Sequence, residues 1–141
     1  MPGSATLYLE TAALNHSLGT VAFTMPAAVY VGLCTSAPTA TTPGLAVSGG
    51  AYARQSAAFA ISSGGASPAV SSNSATIQFP AATAPWGSVG WFEIWDNATT
   101  GNRLYWGPLV DPADGITPIT RSIQIGDILR FQVGVLQVSA T

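Results

Sequence analysis

Residues Trp86 to Leu109 read WGSVGWFEIWDNATTGNRLYWGPL and hold all four tryptophans of the chain. A turn cluster, Asp96-Asn97-Ala98-Thr99-Thr100-Gly101-Asn102, sits between aromatic and β-branched runs, which is how a β-hairpin is written. Strand alternation puts Phe92 and Ile94 on an inner face and Trp91, Glu93 and Trp95 on an outer one. On the return strand Leu104 and Trp106 are the expected inward partners, pairing Ile94 with Leu104 and Asp96 with Asn102. The loop is then Asn97 to Gly101, with Gly101 free to take a positive φ. This register sets Trp95 opposite Arg103 and Glu93 opposite Tyr105. A cation-π contact between Trp95 and Arg103 is expected, worth roughly 0.5 to 1 kcal/mol if exposed.

Working outward, Leu7, Leu14 and Leu18 recur near helical spacing, and Gly19 stands where a C-cap would, so a short helix is expected over Leu7 to Leu18. It is short enough to need packing to persist. Strands are expected over Ala27 to Cys34, Tyr52 to Ile61, Ser74 to Phe79, Ile116 to Ile125 and Leu129 to Val135, with Val70 on a short edge strand. Thr35 to Gly50 is a long Thr-, Ser-, Ala-, Pro- and Gly-rich loop, a candidate contact arm. About eight short strands at spacings of roughly 8 to 12 residues, with almost no helix, predict an all-β fold. Crossover helices are missing, so the sheets are expected to be antiparallel, in a β-sandwich with jelly-roll topology leading. One domain is expected over residues 1–141: an N-terminal arm and helix in 1–26, then the sandwich in 27–141.

Composition narrows the function classes. Charged residues are 7% of the chain, against ~25% in typical domains. Lysine is absent, and the basic residues are Arg54, Arg103, Arg121 and Arg130. A phosphate-neutralising patch for nucleic acid is therefore not expected. Mean hydropathy is +0.37, yet no apolar run approaches the ~18 to 20 residues that span a bilayer, so no membrane partner is expected. MPGSATLYLE lacks the charge and apolar core of a secretory signal, and the mature chain is expected to begin at Met1. The single cysteine, Cys34, excludes an intramolecular disulfide framework and fits synthesis in a reducing cytosol. A low-charge surface of Ser, Thr, Ala, Gly and Asn suits a permanent assembly.

No residue pattern points to catalysis or a cofactor. His16, the only histidine, has just Glu10 near it in sequence, at a spacing that does not share a helix face well, so a solvent-facing or locally bonded role is favoured. Cys34 alternates with Tyr30 and Gly32 and reads as a small buried hydrophobe. Asp111, Asp114 and Asp127 do not match a calcium loop, and DPADG reads as a turn. Glu93 and Asp96 fall on opposite strand faces, which excludes a paired-carboxylate glycosidase site built from them. The glycine pairs lack a strand-GxGxxG-helix frame and a P-loop lysine. Trp91 and Trp95, two apart on one face, suit either a protein interface, where Trp and Arg are enriched, or a platform for stacking sugars.

The segments YLETAALNHSLG, AVYVGLCTSAPT, SGGAYARQSAAF, ATIQFPAATAPWGSVGWFEIWDNATTGNRLYWGPL and IGDILRFQVGVLQV together resemble a family of small bacteriophage virion proteins. The FPAAT-x-x-WG-x-V to LYWGPL part is the most specific. Proteins like this are often labelled tail fibre, and others of similar size are cement or decoration proteins with jelly-roll folds that clamp capsomers. The resemblance implies a non-enzymatic cement protein on the outer capsid surface, made in the bacterial cytoplasm, with the major capsid protein as partner and no cofactor or metal. A tail-fibre or head-fibre module binding a host receptor or glycan is the alternative. Edge strands without lysine to blunt them add the expectation of a homo-oligomer, a dimer before a trimer. The expected contacts are Trp91, Trp95, Arg103 and Tyr105 on the hairpin, Thr39, Thr41 and Pro43 in the loop, and Met1, Pro2 and Leu7 at the N-terminus. Met1 to Leu9 and Thr35 to Gly50 hold few large apolar groups and are expected to be arms that order on a neighbouring subunit.

Overall fold

A computed structural model describes residues 3–140. Among them lie one helix and twelve short strands: β1 (Ser4–Ala5), α1 (Leu7–Ser17), β2 (Val29–Cys34), β3 (Gln55–Ala57), β4 (Phe59–Ile61), β5 (Val70–Asn73), β6 (Ile77–Gln78), β7 (Gly87–Val89), β8 (Trp91–Trp95), β9 (Arg103–Pro108), β10 (Arg121–Ile123), β11 (Arg130–Phe131) and β12 (Gln137–Ser139). They form a five-stranded sheet in the order β1-β9-β8-β2-β3, the pairs β10-β7 and β11-β6, and a three-stranded sheet β12-β5-β4. Every strand pairing is antiparallel. The fold is the expected all-β sandwich with one short N-terminal helix.

The tryptophan hairpin is the middle of the large sheet. Val31 and Leu33 of β2 and Phe92 and Ile94 of β8 are buried on its inner face, in one cluster with Val89, Ile123, Phe131 and Val138 from the smaller sheets. Phe79 and Trp86 anchor that cluster, their rings 6.4 Å apart and edge-to-face, with Phe131 6.5 Å from Phe79. Edge-to-face rings add roughly 0.5 to 1.5 kcal/mol per pair beyond burial. Gly101 and Gly19 take positive φ, 93° and 74°, closing the hairpin and the helix where the sequence places them.

Several elements differ from expectation. The run Tyr52 to Ile61 is cut at Ala58, so that β3 joins the large sheet while β4 joins the three-stranded one. Val70 opens β5, which is central rather than an edge, lying between β12 and β4. The expected Ile116 to Ile125 strand shortens to β10, with Ile125 exposed at the following turn. The last expected strand, Leu129 to Val135, ends at Phe131; a turn leaves Val133 exposed and returns the chain as β12. Asn73 fixes that turn, its Nδ2 donating to Gln132 O at 2.9 Å while its Oδ1 accepts from Leu136 N at 3.0 Å.

Within the hairpin, Asp96 N donates to Asn102 O, and Trp95 faces Arg103, as expected. A register shift between Ile94 and Trp95 then changes the rest. Ile94 pairs with Tyr105 rather than Leu104, and Glu93 with Trp106 rather than Tyr105. One extra residue on β9 reverses the parity of those that follow. Tyr105 therefore packs towards the core, and Trp106 leaves the inner set that Phe92 and Ile94 form.

Candidate functional site

The outer face of the large sheet is roofed by the loop following β2. Thr35 N donates to Leu45 O, Val47 N donates to Leu33 O, and Leu7 N donates to Ala40 O, so the loop is stitched to β2, to itself and to the start of α1. Thr35 to Gly50 is thus a strap over its own sheet and not the free arm expected from composition. Val47, towards the end of the strap, is buried in the core cluster. The first residues are tied as well: Gly3 N donates to Gln137 O, and Ser4–Ala5 pair with β9. The expected contacts Met1 and Pro2 lie outside the described residues.

A buried ion pair holds the strap. Glu93 is 2% exposed and Arg103 8%, with Arg103 Nη1 3.3 Å from Glu93 Oε2. The same carboxylate oxygen accepts from Gly44 N at 3.0 Å, and Arg103 Nη2 donates to Thr39 O at 2.5 Å. Both charged groups spend their bonding on the strap's backbone, the condition under which a buried pair is tolerated. Arg103 is consequently not the partner of Trp95. That place belongs to Arg54, whose guanidinium carbon lies 4.0 Å from the ring centre. Arg54 is held by Asn97 O at 2.9 Å and Thr100 O at 3.0 Å. Arg103 turned inward because a carboxylate waited under the strap, and Arg54 reached Trp95 because β3 brings it to the hairpin tip.

Two ionisable groups beside this pair are raised by burial. Burial, then the neighbouring Glu93 charge and hydrogen bond, push the Cys34 thiol well above its ordinary range, the opposite of what a nucleophile needs. Tyr52 is also raised, by burial, and its hydroxyl accepts from Leu33 N at 2.9 Å. His16 Nδ1 accepts from Phe23 N at 3.1 Å, the local bond expected of it. Asp111 accepts from Ala113 N, and Asp127 accepts from Gln124 N. Asp114 takes Ile116 N, Thr117 N and the Thr117 hydroxyl, so DPADG is a turn.

A concavity lies beside the strap. Helix α1, the irregular segment from Val21 to Ala27, and the hairpin tip enclose a groove of about 1110 Å3. Tyr8, Phe23, Met25 and Trp95 are among the residues that line it. Five of the expected contacts line it: Leu7, Thr41, Pro43, Trp95 and Arg103. Thr39 stands next to it through its carbonyl on Arg103. Trp91 is at the other end of β8, opposite Cys34 and Pro108, and Tyr105 faces the core, so neither joins the groove. The two-tryptophan platform is also broken, because Arg54 covers a face of Trp95.

Tyr8, Phe23 and Met25 escaped the sequence reading. The signal available was the charge gap: from Gly3 to Ala53 the chain has one acid, Glu10, and no Lys or Arg. Helix α1 has no buried residue, and Leu14, Leu18, Val21 and Met25 are exposed around it.

A family model described as Podophage GP4 fiber I protein gp80 matches residues 4–139. No curated protein matches the chain.

Proposed function

The chain belongs to the family of podophage GP4 fiber I protein gp80, and we propose from that membership that this phage virion structural protein is a non-enzymatic subunit of the virion exterior. One observation carries the reading: an N-terminal helix that buries none of its own residues and keeps Leu14 and Leu18 exposed. Such a short helix gains little from its own sandwich, and packing against something outside it would stabilise it. The groups around the one buried ion pair hold backbone together and keep a protonated thiol, which supports a structural role.

The family description supports a fibre. A cement protein clamping neighbouring major capsid subunits is the second reading, favoured by the strapped sandwich, which has no internal repeat of fixed period from which a long shaft is built. Gentle dissociation of virions separates them. Copies confined to tails, in a handful per particle, support the fibre; copies in the hundreds on filled heads support cement. Absence from both fractions would overturn a structural role. The receptor or glycan module is tested by glycan-array binding, and binding lost on Trp95→Ala with the fold retained supports it.

A further inference from the structure

We propose that the groove between α1, the segment Val21 to Ala27 and the hairpin tip is a homotypic interface, into which a second copy of this chain docks Leu14 and Leu18.

The area argues first. The chain exposes 7439 Å2, whereas a compact monomer of 14.3 kDa exposes ~6800 Å2. The excess, roughly 600 Å2, approaches the ~800 Å2 that each partner contributes to a stable interface. Half of the twelve large hydrophobic side chains exposed among the described residues lie between Leu7 and Met25, with Leu14 60% exposed, Leu18 77%, Val21 60% and Met25 83%. An isolated helix as short as α1 is marginal in water. Here its intrachain support includes the Thr6 cap, whose hydroxyl accepts from Leu9 N at 3.3 Å, the Leu7 N bond to Ala40 O, and the His16 bond to Phe23 N.

Charge identifies the occupant. Only Glu10 is charged between Gly3 and Ala53, and the charges that the hairpin adds to the groove, Asp96 and Arg103, are bonded within the chain, Asp96 to Asn102 and Arg103 to Glu93 and Thr39 O, so this surface offers no free cation to a phosphate, a lipid headgroup or an acidic protein. A matching surface must be apolar and nearly uncharged, and the same segment supplies one. Leu14 and Leu18 are exposed and stand in sequence beside Asn15 and Val21, which line the groove with Tyr8, Phe23 and Met25, so one segment of each copy supplies both apolar side chains and groove. Two copies therefore satisfy each other reciprocally, as a closed symmetric contact requires. The sheet edges, from which a homo-oligomer was expected, are not needed for it: β1 and the Gly3 to Val138 bridge already cover the outer side of β9 and one side of β12.

This goes beyond the place of the protein in the virion, because it is read on the isolated chain. The experiment is sedimentation velocity on the full-length protein at micromolar concentration, for the wild type and for Leu14→Glu with Leu18→Glu. Both positions are exposed in one copy, so near-ultraviolet circular dichroism of the tryptophans should be unchanged. The wild type should sediment as a dimer or larger closed oligomer. The variant should be a monomer, its dissociation constant raised about a hundredfold or more. A monomeric wild type, or an oligomer that the two substitutions leave intact, overturns the proposal. If the variant misfolds, Leu18→Ser alone is measured, and a mass unchanged across a dilution series to nanomolar counts against the interface. Attachment of the wild type to virions lacking it is scored separately, so failure of the structural role is distinguishable.

Discussion

Glu93 and Arg103 concentrate on two side chains the work of fixing an entire loop. Removing one charge leaves the other buried and uncompensated, so Glu93→Gln is expected to cost about 3 to 5 kcal/mol in urea denaturation. Replacing both, with Glu93→Gln and Arg103→Met, should cost less than the sum of the single changes. Asp114 is a surface case with a pH signature. Hydrogen bonds from the Thr117 hydroxyl and from the Ile116 and Thr117 amides lower it from 3.8 to about 2. Its contribution is full above pH 3.8 and is lost as pH falls to about 2. The Ile116 and Thr117 amide shifts should titrate in that window, and Asp114→Asn should abolish the transition. Parity correctly placed Glu93 on the face away from Phe92 and Ile94. It could not show that this face is roofed, because the roof is a segment 49 residues away in sequence, joined through Gly44 N.

Among the elements, helix α1 was readable because its leucines and Gly19 are local signals, and the hairpin because its turn residues are. β12 was not readable: its apolar neighbours run on from β11, and the turn between them depends on Asn73, a residue 59 positions before Gln132. Asn73 is 1% exposed, and its amide also donates to Ala75 O. Asn73→Ala leaves the Leu136 amide and the Gln132 carbonyl without their partner, at an expected cost of at least about 2 kcal/mol. A thermal melt measures it, and an unchanged midpoint would show that the turn holds without the side chain. The bulge in β9 was equally hidden. Alternation carries no mark of an inserted residue, and Gly107 shows why the shift is useful. A side chain there would come within 3.0 Å of the Phe92 ring and 2.8 Å of Gly3, so the glycine must face Phe92 for the ring to lie flat against the edge strand.

At the scale of the whole molecule, alternation in β2 and β8 gave the inner face, and the strand pattern gave the class. The division between sheets stayed out of reach, since β3 and β4 are separated only by Ala58 yet belong to different layers. Of the expected contacts, Leu7, Thr41, Pro43, Trp95 and Arg103 line one groove, from loop, helix and hairpin, while Trp91 and Tyr105 do not. One further property follows from the chain ends. Gly3 and Val138 bridge in parallel, through Gly3 N to Gln137 O at 2.7 Å and Ser139 N to Gly3 O at 2.8 Å. Tension applied between those ends pulls the two segments past each other along their length, so both hydrogen bonds bear the load together instead of opening in sequence like a zipper. A chain pulled from these two ends is thereby clasped against mechanical extension at β12, one of the strands that build the core.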